Sequence, residues 1–350
     1  MSPIYFWQNT LSIHQSDLLE ALASKSDVCL IVRDSKISAR VDEGWLPPQL
    51  NSVTVISFDR IDEESLDWSG IHVVSGLGVY RDFDNVMKKV SAAKGKLYLL
   101  TEKPNLNGLK GFLRNIKYSF WLKYRSSIID GIFCIGENTK KWVEALSSGA
   151  YPVYEFLYAG PTGIEKKNSD TVALRKFVYI GRVESQKGID IYLQAASNYP
   201  RYEFSVIGRC MEPKLAEKMG QLANINYLGV VDNQELKRRF KDYDCLILPS
   251  RHDGWGYVVN ECLAAGIPCL VSDACGAKSV IRSGLNGEVF SSGSYEDLAS
   301  SMEKMLNMEF HPSQIISFFE RAISADAIAE YFLECIVSDA AIPPTVPWRR

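Results

Sequence analysis

Two segments in the second half of the chain combine glycine with charged residues at spacings that suit a phosphate-bearing ligand. The first is the apolar run Phe177-Val-Tyr-Ile-Gly181-Arg182, which is followed by Lys187 and Gly188. Glycine lets a backbone approach a ligand closely. An arginine and a lysine five residues apart can hold a diphosphate from two sides, because the guanidinium offers a planar fork. An ordinary turn with solvated charges would also fit this segment, and both interpretations stay open.

The second segment runs from Ser250 through Asp253-Gly254-Trp255-Gly256 to Tyr257 and Glu261. The two glycines allow a tight turn, and the turn amides together with a following helix N-terminus form an anion site. Asp253 and Glu261 lie eight residues apart and could accept hydrogen bonds from the hydroxyls of a sugar and of a ribose. Helix-start charges are the ordinary alternative, although Glu261 lies in an otherwise apolar helical stretch.

The elements that must position these residues are short apolar runs that alternate with helical patterns such as Asp17–Ala23, Asp84–Ala93 and Gly188–Ala196. Continuous apolar strands separated by helices predict parallel sheets covered on both faces. The predicted strands are Ile4–Trp7, Val28–Arg33, Val53–Phe58, His72–Ser75, Leu97–Thr101, Gly131–Ile135, Val153–Leu157, Phe177–Ile180, Phe204–Ile207, Ile225–Leu228, Cys245–Pro249, Pro268–Ser272 and Glu288–Phe290.

The two sets of strands are separated by Ala159–Thr171, whose glycine, proline and charge content is typical of a linker. We therefore predict an α/β protein with two Rossmann-like parallel-sheet domains that face each other across a cleft. The first domain covers residues 1–160, the linker 161–172 and the second domain 173–325. A C-terminal helix over about 326–350 is expected to pack back on the first domain.

Four pieces of the second half resemble the donor domain of the family-4 retaining glycosyltransferases, which have the GT-B fold and include enzymes of surface-polysaccharide and O-antigen biosynthesis. They are Gly181-Arg182 with Lys187-Gly188, Pro249-Ser250, Asp253-Gly-Trp-Gly with Glu261, and Gly266-Ile-Pro-Cys-Leu-Val-Ser272. The resemblance is specific from about residue 177 to 306. It implies that a nucleotide-sugar donor binds to the second domain and a glycan acceptor to the first.

The resemblance also implies roles for single residues. Arg182 and Lys187 would hold the donor diphosphate, Glu261 the ribose and Asp253 the transferred sugar. The further expected donor contacts are Gly181, Arg209, Ser250, Gly254, Trp255, Gly256 and Tyr257. The family usually has glutamate at the position of Asp253 and another downstream, near Lys278 or Ser279 of this chain. Both differences lie where the sugar would be recognised, so the sugar and the nucleotide base stay open.

On the acceptor side, Glu102 directly follows the predicted strand Leu97–Thr101, where many family members carry a histidine. A carboxylate at this end of a strand could hold the acceptor hydroxyl or stabilise positive charge on the sugar. Together with Asp253, Arg182 and Lys187 it completes the predicted catalytic set, although a plain surface acid is the alternative. His14 and Gln15 lie between the first strand and its helix, where the acceptor is expected to approach.

The segment from Lys103 to Ile129 contains six basic residues and no acidic residue. Leu109, Leu113, Ile116, Phe120 and Tyr124 repeat at helical spacing, and the adjoining stripe contains Lys110, Arg114, Lys117 and Trp121. A basic amphipathic helix with aromatic residues suits an anionic membrane surface, and a lipid-linked acceptor would then follow. Packing into the core, with a solvated basic side, is the alternative.

The remaining features restrict the class of protein. A formal net charge of −3 and the lack of a recognition motif argue against a nucleic-acid partner. Eight cysteines without a CxxC pair indicate buried thiols in a reducing compartment. With no signal-peptide pattern and no run of 18 apolar residues, we expect a cytoplasmic protein, at the inner face of the membrane if the basic helix binds lipid.

Two Asp-x-Asp pairs, Asp82/Asp84 and Asp242/Asp244, fit capping and solvation better than metal binding. We therefore expect no essential metal and no cofactor, the nucleotide sugar being a substrate. The favoured function is a retaining glycosyltransferase of polysaccharide assembly. A GT-B-fold nucleotide-sugar epimerase and a non-catalytic nucleotide-sugar-binding protein are the alternatives. A dehydrogenase is disfavoured because Gly76-Leu-Gly78 supplies only part of the dinucleotide fingerprint.

Overall fold

Two parallel β-sheets form the framework of the protein. The computed structural model describes residues 2–34, 48–78, 81–106, 108–147, 149–337 and 343–350. The first sheet contains the first seven strands of the chain, in the spatial order third, second, first, fourth, fifth, sixth and seventh, and the second sheet contains the next six, in the order tenth, ninth, eighth, eleventh, twelfth and thirteenth. All registered strand pairs are parallel, so the carboxyl ends of the strands in each sheet meet at one edge.

The first domain alternates strands with helices, and its sheet carries helices on both faces. Ile4 and Phe6 pack on one face of β1, and Tyr5 and Trp7 pack on the other. The elements are β1 (Ile4–Thr10), α1 (Ile13–Ala23), β2 (Val28–Asp34), β3 (Thr54–Ser57), β4 (Ile71–Ser75), α2 (Arg81–Ala92), β5 (Lys96–Glu102), α3 (Gly108–Arg125), β6 (Gly131–Ile135), α4 (Glu137–Ser147) and β7 (Val153–Phe156).

The second domain repeats this layout after a connection without regular structure. Its sheet buries residues such as Val178, Ile247 and Leu270 between two layers of helices. The elements are β8 (Lys176–Ile180), α5 (Ile189–Asn198), β9 (Glu203–Ile207), α6 (Pro213–Gly220), β10 (Ile225–Gly229), α7 (Asn233–Arg239), β11 (Cys245–Leu248), α8 (Val258–Ala265), β12 (Cys269–Ser272), β13 (Gly287–Phe290), α9 (Tyr295–Leu306) and α10 (Pro312–Ala322).

The last helix, α11 (Ala325–Val337), packs on the first sheet. The Phe332 ring stacks on Phe133 with ring centroids 4.9 Å apart, and the Tyr154 hydroxyl donates to the carbonyl of Cys335 at 3.3 Å. The helix is shorter than the predicted span of about 326–350. Residues 343–350 contain only a short 3₁₀ helix (Pro347–Arg349), because consecutive prolines at 343 and 344 cannot continue an α-helix.

The predicted fold class is confirmed, and all thirteen predicted strands are present with ends displaced by at most three residues. All eight cysteines are free, and seven of them are buried. Among the described residues, no helix combines the length and hydropathy that a membrane span requires. The strand positions are predictable because long apolar runs have few alternatives to burial in a sheet.

Candidate functional site

Three loops of the second domain meet at the carboxyl edge of its sheet, after β8, β9 and β11. Glycine permits their close packing. A Cβ added to Gly188 would lie 1.9 Å from the carbonyl oxygen of Pro249, and one on Gly208 would lie 1.9 Å from that of Gly181. Gly188 also has a φ of 72°, which side chains rarely adopt. The two sequence segments that predict phosphate binding therefore lie against each other.

Lys187 and Asp253 connect these two segments directly. The Lys187 Nζ lies 2.7 Å from an Asp253 carboxylate oxygen, and the two side chains are only 19% and 18% exposed. The Ser250 hydroxyl lies 3.5 Å from the same oxygen. The pair is separated by 66 residues in sequence. An ammonium group can bind a phosphate and a carboxylate can bind a hydroxyl, so both groups of this pair could contact a ligand.

Two arginines follow the neighbouring strands β8 and β9. Arg182 follows β8 and forms an ion pair with Glu184 at 3.1 Å while staying 45% exposed. Arg209 follows β9, is exposed and has no ion-pair partner among the described residues. With Lys187, they place three cations around the ends of neighbouring strands. Three cations grouped in this way would attract an anionic ligand, and the diphosphate contacts of Arg182, Lys187 and Arg209 stay predictions.

Residues that sequence reasoning missed hold this loop in place. The Arg251 guanidinium forms two hydrogen bonds of 2.7 Å to the Asp190 carboxylate and donates to the Ser185 carbonyl at 2.6 Å. Hydrogen bonding from Arg251 holds the pKa of Asp190 below its usual value. Glu212 accepts from the Ser185 amide at 2.7 Å. In the sequence, the signal for these contacts was the presence of acidic and basic residues on either side of the glycines.

Glu261 lies in α8, all of whose residues are buried. Its side chain is 6% exposed and has no hydrogen-bond or ion-pair partner among the described residues. Burial raises the pKa of its carboxyl group to about 8; nearby Lys237 opposes this shift and Asp17 adds to it. A buried carboxylate without donors is costly, so this position favours a ligand that supplies hydroxyl groups.

Trp255 and Tyr257 take part in contacts between the domains. The Trp255 indole is buried and donates to the side-chain oxygen of Asn260 at 3.0 Å, and the Asn260 amide donates to the Tyr158 carbonyl at 2.6 Å. The Tyr257 ring packs on His14 with centroids 4.4 Å apart. These side chains therefore join the donor-side loop to the first domain. The buried amide of Asn260 in an apolar helix was the signal that sequence reasoning overlooked.

Glu102 lies at the end of β5, directly across the cleft from the donor-side loop. A Cβ built on Gly254 would lie 2.5 Å from a Glu102 carboxylate oxygen, so the two residues are in contact. The Tyr158 hydroxyl donates to the other carboxylate oxygen. Gly256 must also be small, because a Cβ there would lie 2.5 Å from the Cys275 sulfur. The predicted acceptor-side acid thus lies next to the predicted donor segment.

His14 and Gln15 lie at the start of α1 and have different surroundings. The His14 ring packs between Tyr158 and Tyr257, with centroids 5.4 and 4.4 Å away. The buried Gln15 accepts a hydrogen bond from Gln8. Gln15 lines a cavity of the first domain. The His14 ring instead takes part in the contact between the two domains.

A cavity of about 280 Å³ opens at the carboxyl edge of the first sheet, between the ends of its central strands and the helices α3 and α4. Aromatic and aliphatic side chains form most of its wall, with a few hydroxyl, amide and carboxylate groups. The lining residues are Gln15, Ser75, Gly76, Leu77, Leu100, Thr101, Glu102, Pro104, Tyr118, Ile135, Trp142 and Tyr158.

Helix α3 exposes its apolar face to solvent rather than burying it. Only Gly111 and Leu122 among its residues are buried. Half of the twelve exposed large apolar residues in the described chain lie on this helix. They are Leu109, Phe112, Leu113, Ile116, Phe120 and Tyr124. Packing of this stripe into the core, the alternative considered above, is therefore wrong.

The three predicted basic residues of α3 lie beside this stripe, but the fourth predicted residue, Trp121, does not. Lys110, Arg114 and Lys117 are exposed. Trp121 points toward the body of the domain instead. Its indole lies against Gly78 and under the guanidinium of Arg125, which is 4.5 Å from the ring centroid. The prediction that Trp121 belongs to the membrane-facing stripe is therefore wrong. Gly78 has no side chain, so the indole of Trp121 can pack against the body of the domain.

Three of the four aspartates of the Asp-x-Asp segments form ion pairs. Asp82 contacts Arg33 at 2.8 Å and Asp84 contacts Arg125 at 2.8 Å, while Asp244 contacts Lys167 at 2.7 Å. Across the described ranges, no three histidine, cysteine or acidic side chains lie together as metal ligands would. Lys278, near the family's second acidic position, donates to the Asp273 carbonyl at 2.8 Å. Its amine therefore contacts backbone.

The second domain matches a protein family of known type. Residues 164–319 match the model of the glycosyl transferases group 1. The chain is 31% identical over 152 residues to a 41.2 kDa protein in the cps region of Klebsiella pneumoniae, covering 42% of this chain and 41% of that protein. It is 26% identical over 145 residues to the lipopolysaccharide 1,6-galactosyltransferase of Salmonella typhimurium, covering 38% and 40%. The chain thus spans about two fifths of each relative's length.

Solved structures match over almost the whole chain. The lipopolysaccharide outer core galactosyltransferase WaaB has a TM-score of 0.68 at 16% identity, over 97% of this chain and 100% of WaaB. HepE of Anabaena, in complex with UDP-glucose, has a TM-score of 0.68 at 12% identity, over 96% and 100%. At these identities the likeness shows the GT-B fold. The match to the glycosyl transferases group 1 model, over residues 164–319, thus lies on the part of the chain whose motifs carry the predicted resemblance.

Proposed function

We propose that the chain transfers a sugar from a nucleoside diphosphate sugar to a hydroxyl group of a glycan acceptor, with retention of the anomeric configuration. One observation carries this proposal. The Lys187–Asp253 pair of the second domain and Glu102 of the first domain meet at a single turn, where Glu102 touches Gly254. Groups suited to a phosphate, a sugar and an attacking hydroxyl are thereby brought together.

The donor would occupy the edge of the second sheet. Arg182, Lys187 and Arg209 supply positive charge for the diphosphate. Asp253, released from Lys187, accepts from hydroxyls of the sugar, and Glu261 accepts from hydroxyls of the ribose. Hydrogen bonds from the ribose would favour the ionised form of Glu261, whose pKa is about 8 without such a partner. The neighbouring structure with UDP-glucose makes a uridine diphosphate sugar the first donor to test.

The chemistry follows from this placement. The acceptor hydroxyl attacks the anomeric carbon from the face on which the diphosphate departs. The bond between the anomeric carbon and the phosphate oxygen breaks, the bond to the acceptor oxygen forms, and the acceptor proton passes to the leaving phosphate. Lys187 and Arg182 stabilise the charge that develops on the diphosphate. Glu102 orients the acceptor and stabilises positive charge on the sugar, so positioning replaces a strong protein base.

The acceptor is proposed to be linked to a lipid in an anionic membrane, on the cytoplasmic side. Six large apolar side chains of α3 are exposed on one helix. Lys110, Arg114 and Lys117 border them, and no acidic residue occurs from Lys103 to Ile129. This combination of apolar and cationic groups complements the interface of an anionic bilayer. The same helix contributes Tyr118 to the cavity beside Glu102, so the lipid surface and the acceptor site would be adjacent.

Donor binding and product stereochemistry together test the proposal. Calorimetry with UDP, GDP and ADP should identify one nucleoside diphosphate that binds. The matching sugar donor, given an oligosaccharide or lipid-linked acceptor, should release that diphosphate, and NMR of the product should show the same anomeric configuration as the donor. An inverted product would contradict the retaining mechanism. Epimerised donor or free sugar without transfer would favour the epimerase alternative, and binding without turnover would favour a non-catalytic protein.

A further inference from the structure

The buried side-chain amide of Asn260 joins the two sides of the cleft. Asn260 lies in α8 and is completely buried. Its side-chain oxygen accepts a hydrogen bond from the Trp255 indole at 3.0 Å, and its amide donates to the Tyr158 carbonyl at 2.6 Å. Trp255 belongs to the donor-side loop, residues 253–256, and Tyr158 follows β7 of the first domain. One side chain therefore holds the loop of its own domain and the backbone of the other domain.

The chemistry of the two partners fixes which end of the amide faces each of them. An indole N–H can only donate a hydrogen bond, and a carbonyl can only accept one. The Asn260 oxygen must therefore face Trp255, and its NH₂ group must face Tyr158. An ionised aspartate of the same shape would offer only acceptors, and leucine would offer neither group. Position 260 thus requires one acceptor and one donor that point in different directions.

These contacts belong to a ring that closes across the cleft. The Tyr158 hydroxyl donates to the carboxylate of Glu102, at the end of β5. Glu102 in turn touches Gly254, the residue before Trp255 in the donor-side loop. The ring therefore runs from the loop through Asn260 and Tyr158 to Glu102 and back to the loop. Members of one hydrogen-bonded network respond together when one of them is changed.

Other hydrogen bonds of the donor-side loop come from the second domain itself. The Trp255 carbonyl accepts from the Ala277 amide at 2.7 Å, and the Asp253 carbonyl accepts from the Gly276 amide at 3.2 Å. These bonds fix the loop on its own domain. The distance from the loop to Glu102 depends instead on contacts between the domains, and the bond from Asn260 is a directional contact of this kind.

We propose that Asn260 is a positioning residue, which sets the place of Glu102 relative to the donor-side loop through Tyr158. Its role in catalysis rests on the proposed function; its coupling of the loop to Glu102 does not. Because Asn260 is completely buried, it acts through these contacts rather than by touching a substrate. Such a residue can control a reaction rate, since a misplacement of about 1 Å can slow a reaction about 100-fold.

The first test follows the indole N–H signals of the seven tryptophans by ¹H–¹⁵N NMR of the full-length chain. The Trp255 signal is assigned by its loss in Trp255→Phe. Tyr158→Phe removes the hydroxyl that binds Glu102 and keeps the backbone carbonyl that binds Asn260. The Trp255 signal should nevertheless move, because the ring transmits the change. In Asn260→Ser, adding Tyr158→Phe should cause no further movement, because the connection is already broken.

A matched control is available in Asn286, which is also completely buried. Its side-chain oxygen accepts from the Arg282 amide at 2.6 Å, and its NH₂ group donates to the Val280 carbonyl at 3.0 Å, so both partners belong to the second domain. Asn286→Ser should lose similar stability in thermal unfolding and keep the response of the Trp255 signal to Tyr158→Phe. Asn260→Leu, which keeps apolar packing, repeats the test if Asn260→Ser does not fold.

The second test measures the release of UDP from UDP-glucose in the presence of an oligosaccharide acceptor. Asn260→Ser should lower kcat about tenfold to 100-fold, whereas calorimetry should show unchanged affinity for UDP, because the proposed diphosphate contacts stay in place. Asn286→Ser should keep the wild-type rate. Loss of UDP affinity together with kcat would indicate a damaged donor site rather than a positioning role, and would overturn the proposal.

The NMR results can overturn the coupling without reference to turnover. The coupling is refuted if Tyr158→Phe leaves the Trp255 signal in place, if the movement persists in Asn260→Ser, or if Asn286→Ser abolishes it equally. An unchanged kcat in Asn260→Ser would refute the positioning role. Coupling that is present in a chain without any sugar transfer would defeat the proposed function and would leave the link between Asn260 and Glu102 intact.

Discussion

Helix α8 buries a polar group that has no partner in the part of the chain that the structure describes, whereas helix α3 exposes apolar side chains to solvent. Every residue of α8 is buried, and within it Glu261 is a carboxyl group without a partner among the described residues. In α3 only two residues are buried, and six large apolar side chains face solvent. One helix thus has a polar group in an apolar interior, and the other has an apolar surface in water. Both arrangements cost free energy in the isolated protein.

A binding partner of suitable chemistry could compensate each of these groups. The carboxyl group of Glu261 needs hydrogen-bond donors, and the ribose hydroxyls of a nucleotide would provide them. The stripe of α3 needs an apolar cover with anionic groups near its lysines, and a bilayer surface would provide both. Variants of the two helices, and of Lys187 in the proposed diphosphate site, can separate these two assignments.

The largest effect is expected from Glu261→Gln, measured as unfolding free energy against pH. The pKa of this carboxyl group is raised from 4.5 to about 8 in the folded protein. The folded state therefore binds more protons than the unfolded state between these values, and wild-type stability falls as pH rises through this window. The fall has an upper bound of about 5 kcal/mol. The variant should lose this decline and be the more stable protein at pH 8.

Denaturant unfolding at pH 5 and pH 8 measures this difference. Glu288→Gln is the control, because Glu288 is also a buried carboxylate but has Lys304 at 2.9 Å. It should not reproduce the gain at pH 8. If wild type and Glu261→Gln respond equally to pH, then Glu261 is not the uncompensated group described here. Calorimetry should also show weaker nucleotide binding by Glu261→Gln.

An intermediate effect is expected from Lys187→Ala, which removes a cation from the proposed diphosphate site. Affinity for the nucleoside diphosphate should fall about 10-fold to 150-fold, since a charged hydrogen bond contributes about 1.5–3 kcal/mol. Lys167→Ala is a matched control. Lys167 and Asp244 also lie 2.7 Å apart and are 16% and 14% exposed. They connect the linker to the residue before β11, which lies away from the cleft.

Both lysine variants leave a partly buried aspartate without its cation, so thermal unfolding should show a similar loss of stability for each. Calorimetry should then separate them, with nucleotide affinity lost only in Lys187→Ala. Equal nucleotide affinity in the two variants would remove Lys187 from the proposed donor site.

The smallest effect on the folded protein is expected from Phe112→Ser with Phe120→Ser on α3. These side chains are 60% and 71% exposed, so unfolding free energy should change by less than about 0.5 kcal/mol for each. Binding to vesicles that contain an anionic lipid should fall about tenfold or more, because apolar area no longer enters the interface. Cosedimentation with vesicles of phosphatidylglycerol and phosphatidylcholine measures this loss.

The control for α3 is Met211→Ser with Val230→Ser, two exposed apolar residues of the second domain. This variant should bind vesicles like the wild type. High salt should weaken binding of the wild type, because the lysines of α3 contribute through screened charge. Vesicle binding that is unaffected by the Phe112 and Phe120 substitutions would leave the exposed stripe without its proposed partner.

The residues of the proposed donor side lie in segments that the sequence analysis located, whereas the proposed acceptor side was located only in part, through Gln15 and Glu102. Gly181, Arg182, Lys187 and Asp253 lie in short continuous segments directly after strands, so strand prediction also locates them. The cavity wall draws Ser75, Tyr118, Trp142 and Tyr158 from four separate parts of the chain. No local pattern relates such residues, because only the packing of β4, α3, α4 and the chain after β7 brings them together.

By itself, the sequence determined the alternation of strands and helices, the two-sheet architecture and the charged glycine turns, because these depend on apolar periodicity and on local backbone conformation. Tertiary structure alone decided which faces are covered. Periodicity shows that α3 has an apolar face, but whether that face meets a core or solvent depends on elements distant in sequence. The same is true of Trp121 against Gly78, Glu102 against Gly254 and Glu261 without a partner, since each depends on what packing places beside it.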